Sequence, residues 1–444
     1  MSNIIKIKKG LDIPLKGIAP EIFKTDNETD LYGIVPDDYP GYTWKAAVKA
    51  GAEVKAGSPL LFAKEDERLC LTSPVAGVVQ EIHRGERRKI EYISVKKEGE
   101  QTQEVPSFAK DKDSRFEALL RTGLFALLRQ RPFDIVAQTD SKPRDIFVTA
   151  FDSAPLAADM LTEDMLPNLE AGLKTLADYT EGKVYISVRK GTSFTSSVAE
   201  VYEFEGPHPA GNVGVQIAAI RPVNKGETVW CADAVTVCRI GKLMTAGTID
   251  YTANIAITGP EVKEPNITKT LIGASLKTLL KGELDDSGKH LRVISGNVLT
   301  GVKENPNDGF VRYPFRQITV IEEGDNADEF MGWASMNPGK FSVKHSFPAF
   351  LRGLGKPFNF DARIKGGHRA MILSGEYDKV FPMDIYPEYL IKAMMAKDIE
   401  RMEQLGIYEV APEDFALPEF VDTSKIELQK LVRDSLDYLR KETM

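Results

Sequence analysis

Gly206-Pro207-His208-Pro209-Ala210-Gly211, running on through Asn212 into Val213-Gly214-Val215-Gln216-Ile217-Ala218-Ala219-Ile220 and then to Arg221-Pro222-Val223 and Val229-Trp230, is the stretch on which the reading of this chain turns. Two prolines bracketing a histidine between glycines make a rigid, non-helical loop. The apolar run Val213 to Ile220 after it reads as a buried strand. Upstream, Ser114 to Arg129 carries Phe116, Leu119, Leu120, Leu124, Leu127 and Leu128 on one helical stripe, stopped by Arg131-Pro132. Asp145 to Ala150 and Val184 to Val188 read as strands, with a helix from about Asn168 to Asp178 between them. Strands alternating with helices at this spacing predict a mostly parallel, Rossmann-like α/β domain over residues 101–255.

That domain lacks the signals of a nucleotide site. Its first strand runs into Thr149-Ala150-Phe151-Asp152-Ser153-Ala154-Pro155 rather than a glycine-rich turn, and Gly182 and Gly191 are isolated. Backbone approach to a pyrophosphate needs glycines at a helix N-terminus, and neither GxGxxG nor a Walker A string occurs.

The 444-residue length predicts several domains, with 42% apolar and 27% charged residues describing an ordinary globular composition. A formal charge of −8 argues against a nucleic-acid partner. The basic run Arg84, Arg87, Arg88, Lys89 reads as a solvated hairpin tip. Met1 to Lys6 has no signal-peptide core, and no window reaches the ~18 apolar residues of a membrane span. These features predict a cytoplasmic chain that meets a membrane only through partners.

Residues 1–100 read as a β-rich region. Val48 to Leu61, with Gly51 and Gly57, resembles half of a biotinyl/lipoyl-type barrel-sandwich, and Ser73 to Val79, with Gly77 at a turn, supplies its next strand. The hairpin where carriers of this type bear a prosthetic group falls near Asp66, with Lys64 beside it, but the surrounding Met-Lys-Met context is missing. Residues 256–330, containing Leu271 to Leu276, a helix around Leu276 to Lys281, and Val293 to Gly301, read as a small β-grasp module of the soluble-ligand-binding (SLBB-like) type. Phe310 to Glu322 and Phe330 to Trp333 add strands, and 331–380 reads as a connecting β region. Residues 381–444 are helical. Pro387 opens a helix striped with Leu390, Ile391, Met394, Met395, Ile399, Met402 and Leu405 and closed by Gly406, its methionines reading as core. Ser424 and Glu427 are spaced for a capping box ahead of a last helix lined by Leu428, Leu431, Val432, Leu436 and Leu439.

Chemical candidates are few. Cys70, Cys231 and Cys238 have no metal or iron–sulfur spacing and read as buried thiols. Of the five histidines, none pairs with another at ligand spacing. His208 is the best placed, and as a loop histidine is expected to be neutral and bonded to backbone. Adjacent acids such as Asp37-Asp38, Asp285-Asp286 and Glu322-Glu323 read as solvated. The residues themselves thus name no catalytic, cofactor or metal set.

As strings, however, the Gly206, Pro207, His208, Pro209, Gly211 loop, Leu127 to Phe133, Phe147 to Ala158, Gly182 to Tyr185, Lys190 to Ser193, Arg292 to Gly296 and Glu413 to Leu417 resemble the A subunit of the bacterial Na+-translocating NADH:quinone oxidoreductases over the whole chain. The resemblance implies a peripheral subunit on the cytoplasmic face of the inner membrane. It would assemble with subunits B to F, the membrane subunits above all. FAD, FMN, riboflavin and iron–sulfur centres are expected on those subunits and none on this one, with NADH and ubiquinone as substrates of the complex. It also implies a quinone-related role, for which Tyr39 and Tyr42 in Asp37 to Tyr42, and Arg131 and Phe133 in Arg131 to Asp134, are the suspects. Two departures stand out: Gln216 and Ala218 occupy places where many relatives carry histidines, and Pro418 and Asp422 places where they carry cysteines. The C subunit of the Rnf complex is a more distant likeness, but Leu373 to Pro382 holds none of its cluster cysteines. A quinone-binding catalytic subunit, or a stand-alone carrier or flavoprotein, are the competing readings.

Overall fold

The computed structural model describes residues 3–20, 23–24, 29–285, 288–325, 337–343, 348 and 356–443. Strand β1 (Asn3–Lys6) and strand β2 (Phe23–Lys24) are lent to sheets formed later in the chain. The barrel-sandwich then follows as β3 (Leu31–Ile34), β4 (Trp44–Ala46), β5 (Glu53–Val54), β6 (Pro59–Ala63), β7 (Cys70–Thr72), β8 (Gly77–Arg84) and β9 (Ile90–Lys97). Its two layers have the orders β3-β9-β8-β5 and β4-β6-β7, and Leu60, Leu61, Ile93 and Val95 fill the space between them. Gly77 opens β8 directly after the bend at residues 74–76, between two strands as expected. A side chain there would strike the Lys96 carbonyl of the neighbouring strand. The β8–β9 tip is exposed and basic as expected, and the β6–β7 hairpin is tied by Asp66 and Arg68, 2.7 Å apart.

The α/β domain comprises α1 (Lys112–Arg121), β10 (Arg129–Arg131), β11 (Ile135–Val136), β12 (Ile146–Thr149), α2 (Leu166–Ala177), β13 (Val184–Arg189), β14 (Ala199–Glu205), α3 (Val213–Ile220), β15 (Val229–Asp233) and α4 (Ala234–Ala246). Its sheet has the order β1-β14-β13-β12-β15-β10-β11, parallel from β1 to β15 with β10 and β11 antiparallel at the edge. Two sequence expectations are corrected here. The run Val213 to Ile220 is a helix, not a strand. A short apolar segment fits either state, and this one is almost wholly apolar, packing Val215 toward the C-terminal helices and Ile217 toward the sheet. The helix expected over Ser114 to Arg129 ends at Arg121, because Gly123 takes a left-handed φ of +77° and the chain then turns into the strand that pairs with β15.

Helices α2 and α4 cover one face of this sheet, and α3 the other. The first two touch backbone to backbone. A methyl group at Gly241 would sit 1.8 Å from the Asn168 carbonyl, and one at Gly172 would sit 2.0 Å from that of Val237.

The β-grasp domain follows with β16 (Thr252–Thr258), β17 (Asn266–Leu271), α5 (Leu276–Leu279), β18 (Leu291–Ser295), β19 (Val302–Glu304) and β20 (Gln317–Glu322), in the sheet order β19-β18-β20-β16-β17-β2. Phe310 makes only an isolated bridge to Ser275, and Phe330 to Trp333 lie outside the described residues. In the 331–380 stretch the described residues show bridges at Phe358 and Asp361 and the helix α6 (Tyr377–Val380), but no strand.

The helical end holds α7 (Pro387–Ala396), α8 (Ile399–Gln404), α9 (Ala416–Val421) and α10 (Leu428–Thr443). The single helix expected up to Gly406 is two, broken where Lys397 takes a φ of +53° and Asp398 caps the next turn. Met394 and Met402 are core, whereas Met395 is 46% exposed. No capping box forms at Ser424. Its hydroxyl donates to the Ala370 carbonyl, and the Gln429 N–H at the start of α10 is taken instead by the Glu419 carboxylate, 2.8 Å away. Among the described residues no helix is long and apolar enough to cross a membrane.

One arginine ties the helical end to the sheet. Arg131, 1% exposed, donates from Nη1 to Asp414 at 3.2 Å and from Nη2 to Glu413 at 2.8 Å. Arg433 of α10 returns the link, donating to the carbonyls of Phe133 at 2.6 Å and Asp134 at 3.1 Å.

Two stability measurements follow from this packing, both read by urea unfolding. Gly241→Ala must push α2 and α4 apart and should cost about 1–3 kcal/mol. Arg131→Met strands the buried Asp414 carboxylate and should cost about 3–5 kcal/mol. Unchanged midpoints would show that neither contact holds the fold as described.

Candidate functional site

Successive strands of the α/β sheet are laid down on opposite sides of β12. The chain passes from β12 through α2 to β13 and β14, then returns through α3 to place β15 on the other side. The crevice beyond the carboxyl ends of β12 and β15 is therefore the topological switch point, where open α/β sheets bind ligands. A cavity of about 240 Å3 lies there. Thr149 to Asp152 come from the end of β12, Asp233 and Ala234 from the β15–α4 junction, His208 and Gly211 from the Pro-His-Pro loop, and Phe315, Arg316 and Glu413 from neighbouring units.

The Pro-His-Pro loop is fastened at both ends. At Gly206, with φ +146°, a side chain would strike the Ile7 carbonyl at 2.3 Å. The His208 N–H donates to Asp12 at 2.9 Å, and the Gly211 N–H donates to the Ser153 hydroxyl at 2.8 Å. His208 is 3% exposed, and its Nδ1 lies 3.0 Å from that same hydroxyl. Its partner is thus a side chain, not the backbone expected from the sequence. Nε2 has no partner among the described residues. Burial lowers the imidazole pKa to about 4, so the ring is neutral near pH 7. Gln216 donates to Thr149 Oγ1 at 3.1 Å and to the Ala210 carbonyl at 3.2 Å.

The cavity is acidic rather than phosphate-seeking. Asp233 is the N-cap of α4, accepting from the Thr236 N–H at 2.9 Å and hydroxyl at 2.7 Å, so a carboxylate already occupies the helix N-terminus. Burial pushes Asp233 up, but Arg316, 2.5 Å away, and the Thr236 donors outweigh it and leave the group below its ordinary range. Asp152 is raised by burial, against one bond from the Ala154 N–H. Glu413 is also raised, by burial and by the nearby carboxylates of Asp414 and Asp134, despite Arg131. Among the described residues no group of three or more His, Cys, Asp or Glu is arranged to hold a metal ion.

The suspects from the sequence sit elsewhere, gathered around the β10–β11 hairpin. Tyr39 is buried, stacked on Tyr313 with centroids 5.3 Å apart, and its carbonyl accepts from Trp44 Nε1 at 2.8 Å. Tyr42 donates to the Ala137 carbonyl at 3.1 Å. Phe133, buried, meets Tyr408 edge-on at 6.3 Å. Arg131 is the ion-paired strut already described. Asp38 corrects the reading of the adjacent acids as solvated. It is 8% exposed and accepts from Arg312 at 2.7 Å and the Tyr313 N–H at 3.0 Å, and burial raises its pKa to about 6 against those donors. Sequence reasoning passed over Asp233, Arg316 and Glu413. Of these only Asp233 left a signal, as Asp-Ala-Val-Thr at a strand–helix junction.

His208 gives the site a pH signature. Its folded-state pKa lies below the unfolded value, so the unfolded chain binds more protons between about 6.5 and 4 and stability falls as pH drops through that window. His208→Asn, which keeps an acceptor near Ser153, should flatten the stability profile over that range. An unchanged slope would place the acid sensitivity in other groups.

Comparison with known proteins gives this architecture its family. Three family models match in succession: the NqrA N-terminal barrel-sandwich hybrid domain over residues 5–98, the NqrA second alpha/beta domain over 110–249, and the NQRA C-terminal domain of SLBB type over 254–305. The A subunit of the Na(+)-translocating NADH-quinone reductase of Hahella chejuensis is 36% identical over 99% of this chain and 100% of its own length. The A subunits of the Pasteurella multocida and Saccharophagus degradans enzymes are each 35% identical over the same shares. With all three domains and the full length accounted for, the chain belongs to the family of A subunits of the Na(+)-translocating NADH-quinone reductases.

Proposed function

We propose that this chain is the peripheral A subunit of a sodium-pumping NADH:ubiquinone reductase, seated on the cytoplasmic face of the bacterial inner membrane. There it docks and shapes the assembly formed with subunits B to F. The observation that carries the reading is end-to-end correspondence with other A subunits at 35–36% identity. Flavins, iron–sulfur centres and the sodium path belong, on this reading, to the other subunits, and NADH and ubiquinone are substrates of the whole complex.

The internal bonding supports a structural role for the segments under suspicion. Tyr39, Tyr42, Arg131 and Phe133 are consumed in stacking, hydrogen bonds and ion pairs within the chain. A quinone site of the chain's own is the second reading. It is favoured by the unpartnered Nε2 of His208 in a cavity that also presents Phe151 and Phe315. At about 240 Å3 that cavity falls below the ~300 Å3 lower end of small-molecule clefts, which weighs toward docking.

Tagging the chain in its native host and purifying it from mild-detergent membranes should bring down five further polypeptides with flavin and iron–sulfur absorbance. A lone colourless protein would refute the assignment. In the assembled complex, Tyr39→Ala and Phe133→Ala should reduce thermal stability yet leave quinone-reductase turnover per complex within about twofold of the parent, since ~1.4 kcal/mol is needed for a tenfold change. A selective rise in the KM for quinone would instead favour the second reading.

A further inference from the structure

A second groove, about 530 Å3, opens between the α/β and β-grasp domains. Its floor is one face of α4, carrying Val235, Cys238, Arg239 and Lys242 at helical spacing. Its wall is made by β16, β17 and β2, where Asn254 stands directly opposite Lys269 and Lys24 comes from the neighbouring strand. Arg316 closes the end toward the switch point.

The lining is cationic in a chain of charge −8: Lys24, Arg239, Lys242, Lys269 and Arg316 face only Asp164 and Asp250. Three of the cations are paired: Lys242 with Asp250 at 2.9 Å, Lys24 with Glu283 at 3.4 Å, and Arg316 with Asp233 at 2.5 Å. The other two have no carboxylate partner among the described residues. Lys269 is exposed. Arg239 is 4% exposed, donates from Nη2 to the Thr252 carbonyl at 2.8 Å, and leaves Nε buried with no acceptor. Burial and the neighbouring Arg316 press its pKa below the ordinary arginine range, outweighing the carboxylates of Asp233 and Asp250. A buried guanidinium with an unmet donor beside a second guanidinium is costly, and an oxyanion removes that cost.

We propose that this groove binds a phosphate-bearing ligand of the pyrophosphate class, with Arg239 and Lys269 as its principal contacts and Lys242 at the rim. A guanidinium fork matches phosphate oxygens, and cations spread along a groove rather than gathered at one point suit more than one anionic centre. The same chemistry is offered by a soluble phosphorylated compound and by a phospholipid headgroup. The site is distinct from the switch-point cavity, and its failure would leave the proposed place of the chain in the reductase standing.

Calorimetric titration of the purified full-length chain with inorganic pyrophosphate tests the soluble source. Co-sedimentation with phosphatidylcholine vesicles, with and without phosphatidic acid, tests the headgroup. Expected is saturable one-to-one binding that weakens as salt rises. It should fall by about tenfold or more in a Lys242→Ala/Lys269→Ala chain and be unaffected by Lys430→Ala. Arg239→Met should abolish it, with thermal unfolding as the check on the fold; if that variant does not fold, the lysine pair decides. Pyrophosphate binding assigns the soluble source. Binding only to phosphatidic acid vesicles, lost in the lysine variant, assigns the headgroup. Absence of both, or binding equal in the lysine variant and the parent, overturns the proposal.

Discussion

The Arg131 guanidinium is the contact on which the arrangement of the chain depends. It sits on the edge hairpin of a sheet and meets two carboxylates delivered from nearly three hundred residues later, just before α9. An arginine so buried is tolerable only if its charge is answered, and Asp414, 1% exposed in its side chain, answers it directly. The acids exceed the arginine locally, since Asp134 and Glu413 also face it. Burial first, and this excess second, hold Glu413 above the ordinary carboxyl range despite Arg131. The helical end is fixed against the sheet by charge as well as by grease. The apolar cluster of Phe133, Ile135, Phe415, Leu436 and Leu439 closes over the same seam.

Fixing that seam also decides what the aromatic segments are free to do. Arg440 of α10 donates to the Gly41 carbonyl at 2.9 Å, and the Val136 N–H donates to that of Pro40 at 2.8 Å. The Tyr39–Tyr42 turn is thereby bound to the β10–β11 hairpin and, through it, to the last helix. These residues, which look from sequence like a platform for a planar ring, also bind three units of the chain together.

The sequence was most legible where periodicity and length agreed. The strands at Ile146 and Val184, the helix α2 and the stripe of α10 fall where alternation and 3.6-residue spacing put them. It misled where a segment is nearly all apolar: Val213–Ile220 has Gln216 as its one polar side chain, too little to reveal its period, and Phe125 to Leu128 continue a helical stripe past a glycine that ends the helix. The caps failed for a different reason. Ser424 has the right spacing, but its hydroxyl is claimed by Ala370 and the cap comes from Glu419, nine residues before α10 begins. Such tertiary partners leave no local trace. The switch-point cavity was hidden in the same way, since Arg316 and Glu413 reach it from other domains.

Arg316 explains why two cavities so close together have opposite character. It lines both, and its bond to Asp233 lies along the boundary between them. On the switch-point side, Asp233 fills the N-terminus of α4, and Asp152 and Glu413 add further acid, so the position that a phosphate would take in a nucleotide-binding sheet is already held by a carboxylate. On the far side the face of the same helix carries the buried Arg239 and, one turn on, Lys242 at the rim of the groove. The anion-attracting function of an α/β sheet has thus been moved off the helix terminus and onto the helix face. Glycines are required for the first arrangement, because the backbone must approach the phosphate, and are not required for the second, where side chains make the approach. The lack of a glycine-rich turn after β12 therefore argues only against a phosphate at the switch point, and it has no bearing on the groove beyond Arg316.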